Sequence, residues 1–208
     1  MKPENILRMF QDTAERRGEE ACLRYKQGGI WRALSWTECL AQIKHLAESL
    51  KKLGVKSGDR VAILSNTRYE WTLLDIAILS LGAVTVPIYH SSMSDEIQHI
   101  LNDSGAKVIF AENSTQLEKV LKARGSLSAL ERIVLLDGRV LGDGILNFEE
   151  FKALGQGLES DFGVRVRQIG LEDLATLVYT SGTTGPPKGV INSRWVLPTP
   201  TRRASISS

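Results

Sequence analysis

Leu174-Ala175-Thr176-Leu177-Val178-Tyr179 runs directly into Thr180-Ser181-Gly182-Thr183-Thr184-Gly185-Pro186-Pro187-Lys188-Gly189-Val190. The first six residues have the length and apolar character of a buried strand. The residues after them make a turn of glycines and hydroxyls. Glycine lets backbone N–H groups approach an anion closely, and successive N–H groups form an anion-binding concavity. Thr180, Ser181, Thr183 and Thr184 add hydroxyl donors, and Lys188 adds an ammonium. The pattern is that of a loop holding a polyphosphate at the end of a strand. Gly182 and Gly185 stand too close together for the common G-x-x-x-x-G-K-[ST] loop. Pro186 and Pro187 stiffen the approach to Lys188 and remove two backbone donors.

Outward from this loop the chain alternates helix and strand. Residues 5–17 read as a helix, and Ala21 to Tyr25 with Ile30 to Leu34 read as a hairpin about Gly28-Gly29. Ser35-Trp36-Thr37-Glu38 is a capping box for a helix that runs to Leu53 and stops at Gly54. Strands come next at Arg60 to Leu64, Val84 to Ile88, Lys107 to Ala111 and Arg132 to Leu136. Helices separate them at Glu70 to Leu81, Ser94 to Asp103 and Leu117 to Lys122. Residues 138–172 read as a glycine-rich connection with one short helix near Phe148 to Leu154. The order predicts an α/β fold, a doubly wound and mostly parallel sheet with helices on both faces. Ligands in such sheets gather beyond the carboxyl ends of the strands, where this loop lies.

Residues 179–190 closely resemble the phosphate-loop signature of the AMP-forming adenylating enzymes, the superfamily of acyl-CoA synthetases, luciferases and peptide-synthetase adenylation domains. Asp59-Arg60-Val61-Ala62-Ile63-Leu64, Asn66-Thr67-Arg68-Tyr69-Glu70-Trp71 and Gly82-Ala83-Val84-Thr85-Val86-Pro87-Ile88-Tyr89 resemble further landmarks of that family. Val86-Pro87-Ile88-Tyr89, with Glu96 and Asp103-Ser104-Gly105-Ala106, is most similar to the long-chain fatty-acid–CoA ligases. The resemblance covers residues 4–191. It implies a two-step ligase: a carboxylate attacks the α-phosphate of ATP to give an acyl-adenylate and pyrophosphate, and the thiol of coenzyme A then displaces AMP. Thr180, Ser181, Gly182, Thr183, Thr184, Gly185 and Lys188 are then the clamp on the β- and γ-phosphates. Fixed donors at that place stabilise the negative charge of a leaving pyrophosphate. Mg²⁺ is expected to ride on phosphate oxygens rather than in a protein cage. No catalytic residue and no metal ligand is assigned.

The family's later landmarks, among them an aromatic-Gly-x-Thr-Glu element, do not occur in these 208 residues. Residues 1–190 are therefore read as a truncated N-terminal AMP-binding domain, inactive by itself, and 191–208 as an atypical, disordered tail. In INSRWVLPTPTRRASISS, Pro198 and Pro200 forbid the helix expected after the loop. A fragment, a natural end or a change of reading frame would each produce such a tail. A β-strand left without its neighbours would expose backbone groups and apolar surface, so chaperone or paralogue association is an expected partnership. A silent nucleotide-binding remnant, or another adenylating subfamily, is the alternative reading.

Composition bounds the rest. Twenty-six basic and 24 acidic residues give a net charge of +2, and removing Arg194, Arg202 and Arg203 leaves residues 1–190 at −1. So balanced a body argues against a nucleic-acid partner. Trp71 to Tyr89 is interrupted by Asp75 and Gly82 and is no membrane span, and the N-terminus lacks a signal-peptide core. A cytoplasmic protein is the expectation, with peripheral membrane contact left open by the family resemblance. Cys22 and Cys39 read as reduced, buried thiols without metal-ligand spacing. Trp71, Leu74, Ile78 and Leu81 share a helix face and read as core. His90 and His99 lie near Ser91, Ser92 and Asp95, but no nucleophile elbow accompanies them and a hydrolase reading is set aside.

Overall fold

A computed structural model describes residues 4–140, 142–180 and 186–196. In chain order its elements are β1 (Glu4–Asn5), α1 (Ile6–Arg17), β2 (Ala21–Gln27), β3 (Ile30–Ser35), α2 (Trp36–Lys52), β4 (Arg60–Leu64), α3 (Tyr69–Ser80), β5 (Val84–Ile88) and α4 (Ser94–Ser104). After α4 come β6 (Val108–Ala111), α5 (Ser114–Ala123), β7 (Arg132–Leu135), β8 (Ile145–Asn147), α6 (Phe148–Ala153), α7 (Phe162–Gln168), β9 (Leu174–Thr180), β10 (Lys188–Ser193) and β11 (Trp195–Val196). Seven strands form one sheet in the order β10-β9-β5-β4-β6-β7-β8, every neighbouring pair parallel except β10 with β9.

The parallel centre results from the residues in it. A strand covered on both faces reads as a continuous apolar run. Val61, Ala62, Ile63 and Leu64 of β4 are all fully buried. Alternate side chains point to opposite faces. Val61 and Ile63 join α2, α3, Phe110, Phe151 and Phe162 in one core. Ala62 and Leu64 join α4, α5, Ile109 and Ile133 in the other. The helices therefore lie on both faces of the sheet, as the sequence pattern predicts. α3 buries side chains around most of its circumference, among them Leu73, Leu74, Ala77 and Ile78, because it is wedged between the sheet and α2.

Local signals act where the sequence places them. Ser35 Oγ accepts from the Glu38 N–H at 3.1 Å, and Glu38 Oε2 accepts from the Ser35 N–H at 2.7 Å. The β2–β3 hairpin turns on Gly28 and Gly29, whose φ values of +57° and +82° suit a turn with two left-handed positions.

Three expectations need correction. The connection 138–172 contains β8 and α7 as well as α6. β8 has three residues, too few for a periodic signal. α7 (FGVRVRQ) holds a glycine and two valines and is a poor helix by propensity. It forms because Phe162 and Val166, one turn apart, are fully buried in the core and Arg165 is ion-paired with Glu48. Second, β9 is not left open, since β10 pairs with it from Lys188 to Ser193. Third, the boundary placed at residue 190 falls inside β10. Residues 191–193 continue that strand, Arg194 is 1% exposed with Nη2 donating to Ala83 O at 2.8 Å, and β11 pairs with β1. Residues 197–208 lie outside the described residues. Among the described residues no helix is long and apolar enough to cross a membrane.

Glu48, 3% exposed, ties α7 to α2. It accepts from Arg165 Nη1 at 3.0 Å, from Ser160 Oγ at 3.1 Å and pairs with Lys51 at 2.9 Å. Burial alone would raise its pKa, but the hydrogen bond from Lys51 and the charges of Arg165 and Lys51 outweigh it and hold the carboxyl below its ordinary value. A depressed folded-state pKa contributes stability that is complete above the unfolded pKa and lost as pH falls through the folded one. Glu48→Gln is expected to cost about 2–3 kcal/mol at neutral pH, and the difference from wild type should shrink on acidification. Urea denaturation of both proteins at a series of acid pH values measures it.

Candidate functional site

β9 carries the candidate loop out of the sheet between β5 and β10. Tyr179 is its last buried residue and Thr180, at the strand end, is exposed. Ser181, Gly182, Thr183, Thr184 and Gly185 lie outside the described residues. The chain is described again from Pro186, and exposed Lys188 opens β10. The antiparallel register sets Lys188 opposite Thr180 and Gly189 opposite Tyr179. The two described candidates at the ends of the loop, separated by seven residues in the chain, thus stand side by side at one edge of the sheet. Pairing on both sides of β9 fixes the position of that edge.

The mouth of the loop is tied to α4. Tyr179 Oη donates to Asp103 Oδ2 at 2.5 Å. His99 Nε2 lies 2.8 Å from Pro187 O, and because a carbonyl can only accept, the ring nitrogen is the donor. The His99 ring meets Tyr179 edge-on, 6.3 Å between centroids at 88°. Burial pushes the Tyr179 phenol well above its ordinary pKa, and the hydrogen bond to Asp103 and that carboxylate's charge push it further. Gly189 leaves room for this ring: a Cβ there would lie 3.2 Å from Tyr179 Cζ.

Two hollows flank the base of the loop at the carboxyl ends of β5 and β9. One, of about 450 Å³, lies between Tyr89, Ser91 and Ser92 after β5 and Thr180 and Pro187 at the loop. The other, of about 170 Å³, is bounded by Trp71, Pro87, Tyr89 and Val178. Trp71, half-buried and packed against the core as expected, also walls this hollow. Lys119 of α5 holds the segment after β5 by donating to His90 O at 2.8 Å and Ser92 O at 2.9 Å.

A larger cleft of about 620 Å³ opens between the β2–β3 hairpin and the ends of β4, β6 and β7. Its charges satisfy one another. Arg68 donates to Glu70 at 2.7 and 2.9 Å and to Asp137 at 2.6 and 3.0 Å. Asn66 donates twice to Glu112, at 3.0 and 3.1 Å. Tyr69 stacks on Tyr25 at 4.1 Å, and burial with the Glu70 charge pushes its phenol up to about 12. These contacts bind the segments after β4, β6 and β7 to one another.

His99 is the residue that sequence reasoning misses. In the sequence it is an unremarkable histidine beyond a loop, whereas α4 carries it to the loop mouth. Its spacing of four from Asp103 puts both on one helix face, which is legible in the chain. That this face looks at Pro187 is not. Among the described residues no group of three or more His, Cys, Asp or Glu side chains is placed to hold a metal ion.

The fold that carries this loop has known counterparts. The model of the AMP-binding enzyme family matches residues 10–194, and the chain belongs to that family. The long-chain-fatty-acid–CoA ligase FadD15 of Mycobacterium bovis is 41% identical over 162 residues, covering 77% of this chain and 26% of the relative. The long-chain-fatty-acid–CoA ligase ACSBG2 of Xenopus laevis is 29% identical over 196 residues, 93% of this chain and 26% of the relative. The chain spans about a quarter of the length of the curated relatives it matches. The anthranilate CoA ligase AuaEII, solved in complex with anthranoyl-AMP, superposes with a TM-score of 0.79 at 27% identity, over 92% of this chain and 35% of that one. A Mycobacterium tuberculosis fatty acyl CoA synthetase shares the fold at a TM-score of 0.72 and 24% identity, over 91% and 34%.

The contact between Tyr179 and Asp103 has an optical readout. Absorbance titration of the four tyrosines should show a late-ionising class that includes Tyr179. Asp103→Asn removes the carboxylate's charge and is expected to move that phenol back toward the ordinary tyrosine range. An unchanged titration would contradict the assignment of the shift.

Proposed function

We propose that this chain carries the triphosphate-gripping part of an AMP-forming long-chain fatty-acid–CoA ligase. The observation that supports this most is the pairing of Thr180 with Lys188 across β9 and β10. It sets a hydroxyl-bearing residue and a lysine opposite each other at the carboxyl edge of a mostly parallel sheet, the place where α/β folds bind nucleotides. Family membership and the names of the relatives supply the acid and thiol substrates.

In this reading the β- and γ-phosphates lie against Thr180, Lys188 and the hydroxyls and amides of Ser181, Gly182, Thr183, Thr184 and Gly185. An oxygen of the fatty-acid carboxylate attacks the α-phosphorus, a new P–O bond forms, and the bond to the β-phosphate oxygen breaks. The electron pair leaves with pyrophosphate, whose charge the donors of the loop offset. Coenzyme A thiolate then attacks the acyl carbonyl and AMP departs. Mg²⁺ would be carried mainly by the phosphate oxygens, with a hydroxyl such as that of Thr180 able to add a ligand, and would offset phosphate charge when bound.

Binding and turnover are separable here. The donors of the loop are within these 208 residues, while no Gly-x-Thr-Glu element is. The 208-residue polypeptide by itself is expected to bind ATP or inorganic tripolyphosphate and to show no carboxylate-dependent exchange of pyrophosphate into ATP. In calorimetric titration with Mg²⁺, Lys188→Ala should weaken binding about tenfold, the loss of roughly one charge-assisted contact. A flat trace with the wild-type chain would overturn the reading, and exchange abolished by Lys188→Ala would overturn the statement of inactivity.

A further inference from the structure

We propose that His99 and Asp103 are positioning residues that together set the mouth of the phosphate loop, one helix face holding both limbs of the turn. The inference rests on the triphosphate reading of residues 180–188. Asp103 holds the outgoing limb through Tyr179 Oη at 2.5 Å, and His99 holds the returning limb through Pro187 O at 2.8 Å. The two side chains are four residues apart in α4, which places them one above the other on the same face. α4 itself is anchored, with Ile97, Ile100 and Leu101 buried in the core beneath the sheet.

The chemistry of the returning limb explains why a carbonyl is the group held. Pro186 and Pro187 have no backbone N–H, so at those two residues the main chain can be tied only through its oxygens. Pro187 C=O and Lys188 N–H belong to one planar peptide unit. Fixing the oxygen against His99 therefore fixes the plane from which Lys188 starts. On the outgoing limb Tyr179 is 6% exposed, with His99 near its ring and Gly189 beside it. His99, Tyr179 and Gly189 pack in sequence across α4, β9 and β10, with Thr180 and Lys188 next in the chain at the margin. Neither α4 residue reaches into the hydroxyl-rich turn by these bonds; each acts through the strand ends.

The test has one readout without ligand and one with it. Amide hydrogen exchange across residues 188–192, measured in the full 208-residue chain, should be about tenfold faster in His99→Phe, which keeps a ring but loses the donor. His99→Gln, which restores an N–H, should stay within about twofold of wild type. Affinity for Mg²⁺ and ATP should obey the same order, about tenfold weaker for His99→Phe. Tyr179→Phe, which keeps the ring and removes the hydroxyl held by Asp103, should loosen the same segment and carries the test if His99→Phe fails to fold. Exchange across 188–192 unchanged in both phenylalanine variants would overturn the positioning role. A wild-type chain that binds no triphosphate while the exchange differences persist would overturn the functional reading and leave the positioning role standing.

Discussion

The structure depends on β9 being paired on both sides. Buried backbone N–H and C=O groups must find partners, and a strand interior to a sheet finds them only in its neighbours. β5 supplies them on one side in parallel and β10 on the other in antiparallel register. Because β10 is the chain's own return from the loop, the residues that leave the sheet and the residues that re-enter it are locked in one ladder. A loop of any composition attached at those two points has its ends held side by side. This chain attaches hydroxyls, glycines and a lysine there.

Around that ladder the molecule separates its apolar and polar work. The sheet centre is buried on both faces, and its strands carry almost no polar side chains. At the carboxyl edge the same strands end in Asn66, Glu112 and Asp137, and ion pairs and hydrogen bonds knit those ends together through Arg68 and Asn66. Lys119 and His99 perform the same office at the ends of β5 and β9, each directing its donors to backbone carbonyls. Bonds from charged or ring donors to carbonyls hold main chain in place without pairing those donors with carboxylates.

Much of this architecture is legible from residues. Continuous apolar runs such as Arg60 to Leu64 and Val84 to Ile88 mark strands covered on both faces, and both strands form with those bounds. The Ser35–Glu38 box and the Gly28-Gly29 turn are local chemistry that needs no distant partner. α7 is not legible, because its helix exists only through what Phe162, Val166 and Arg165 touch from α2 and α3. β10 is not legible either. Val190-Ile191-Asn192-Ser193 has neither clear alternation nor a strong apolar run, and its strand state comes from the register with β9.

The order of residues alone determined the fold class, the family and the seven candidates of the loop, because periodicity, turn chemistry and donor spacing are properties of neighbours in the chain. Which side chains stand around that loop was decided only in three dimensions. His99 and Asp103 are 88 and 76 residues from the groups they hold. No local rule links positions so far apart; the sheet order, which places α4 beneath β5 and β9, does. Physical contact between α4 and the loop is a product of topology, and topology is settled by packing the whole sheet.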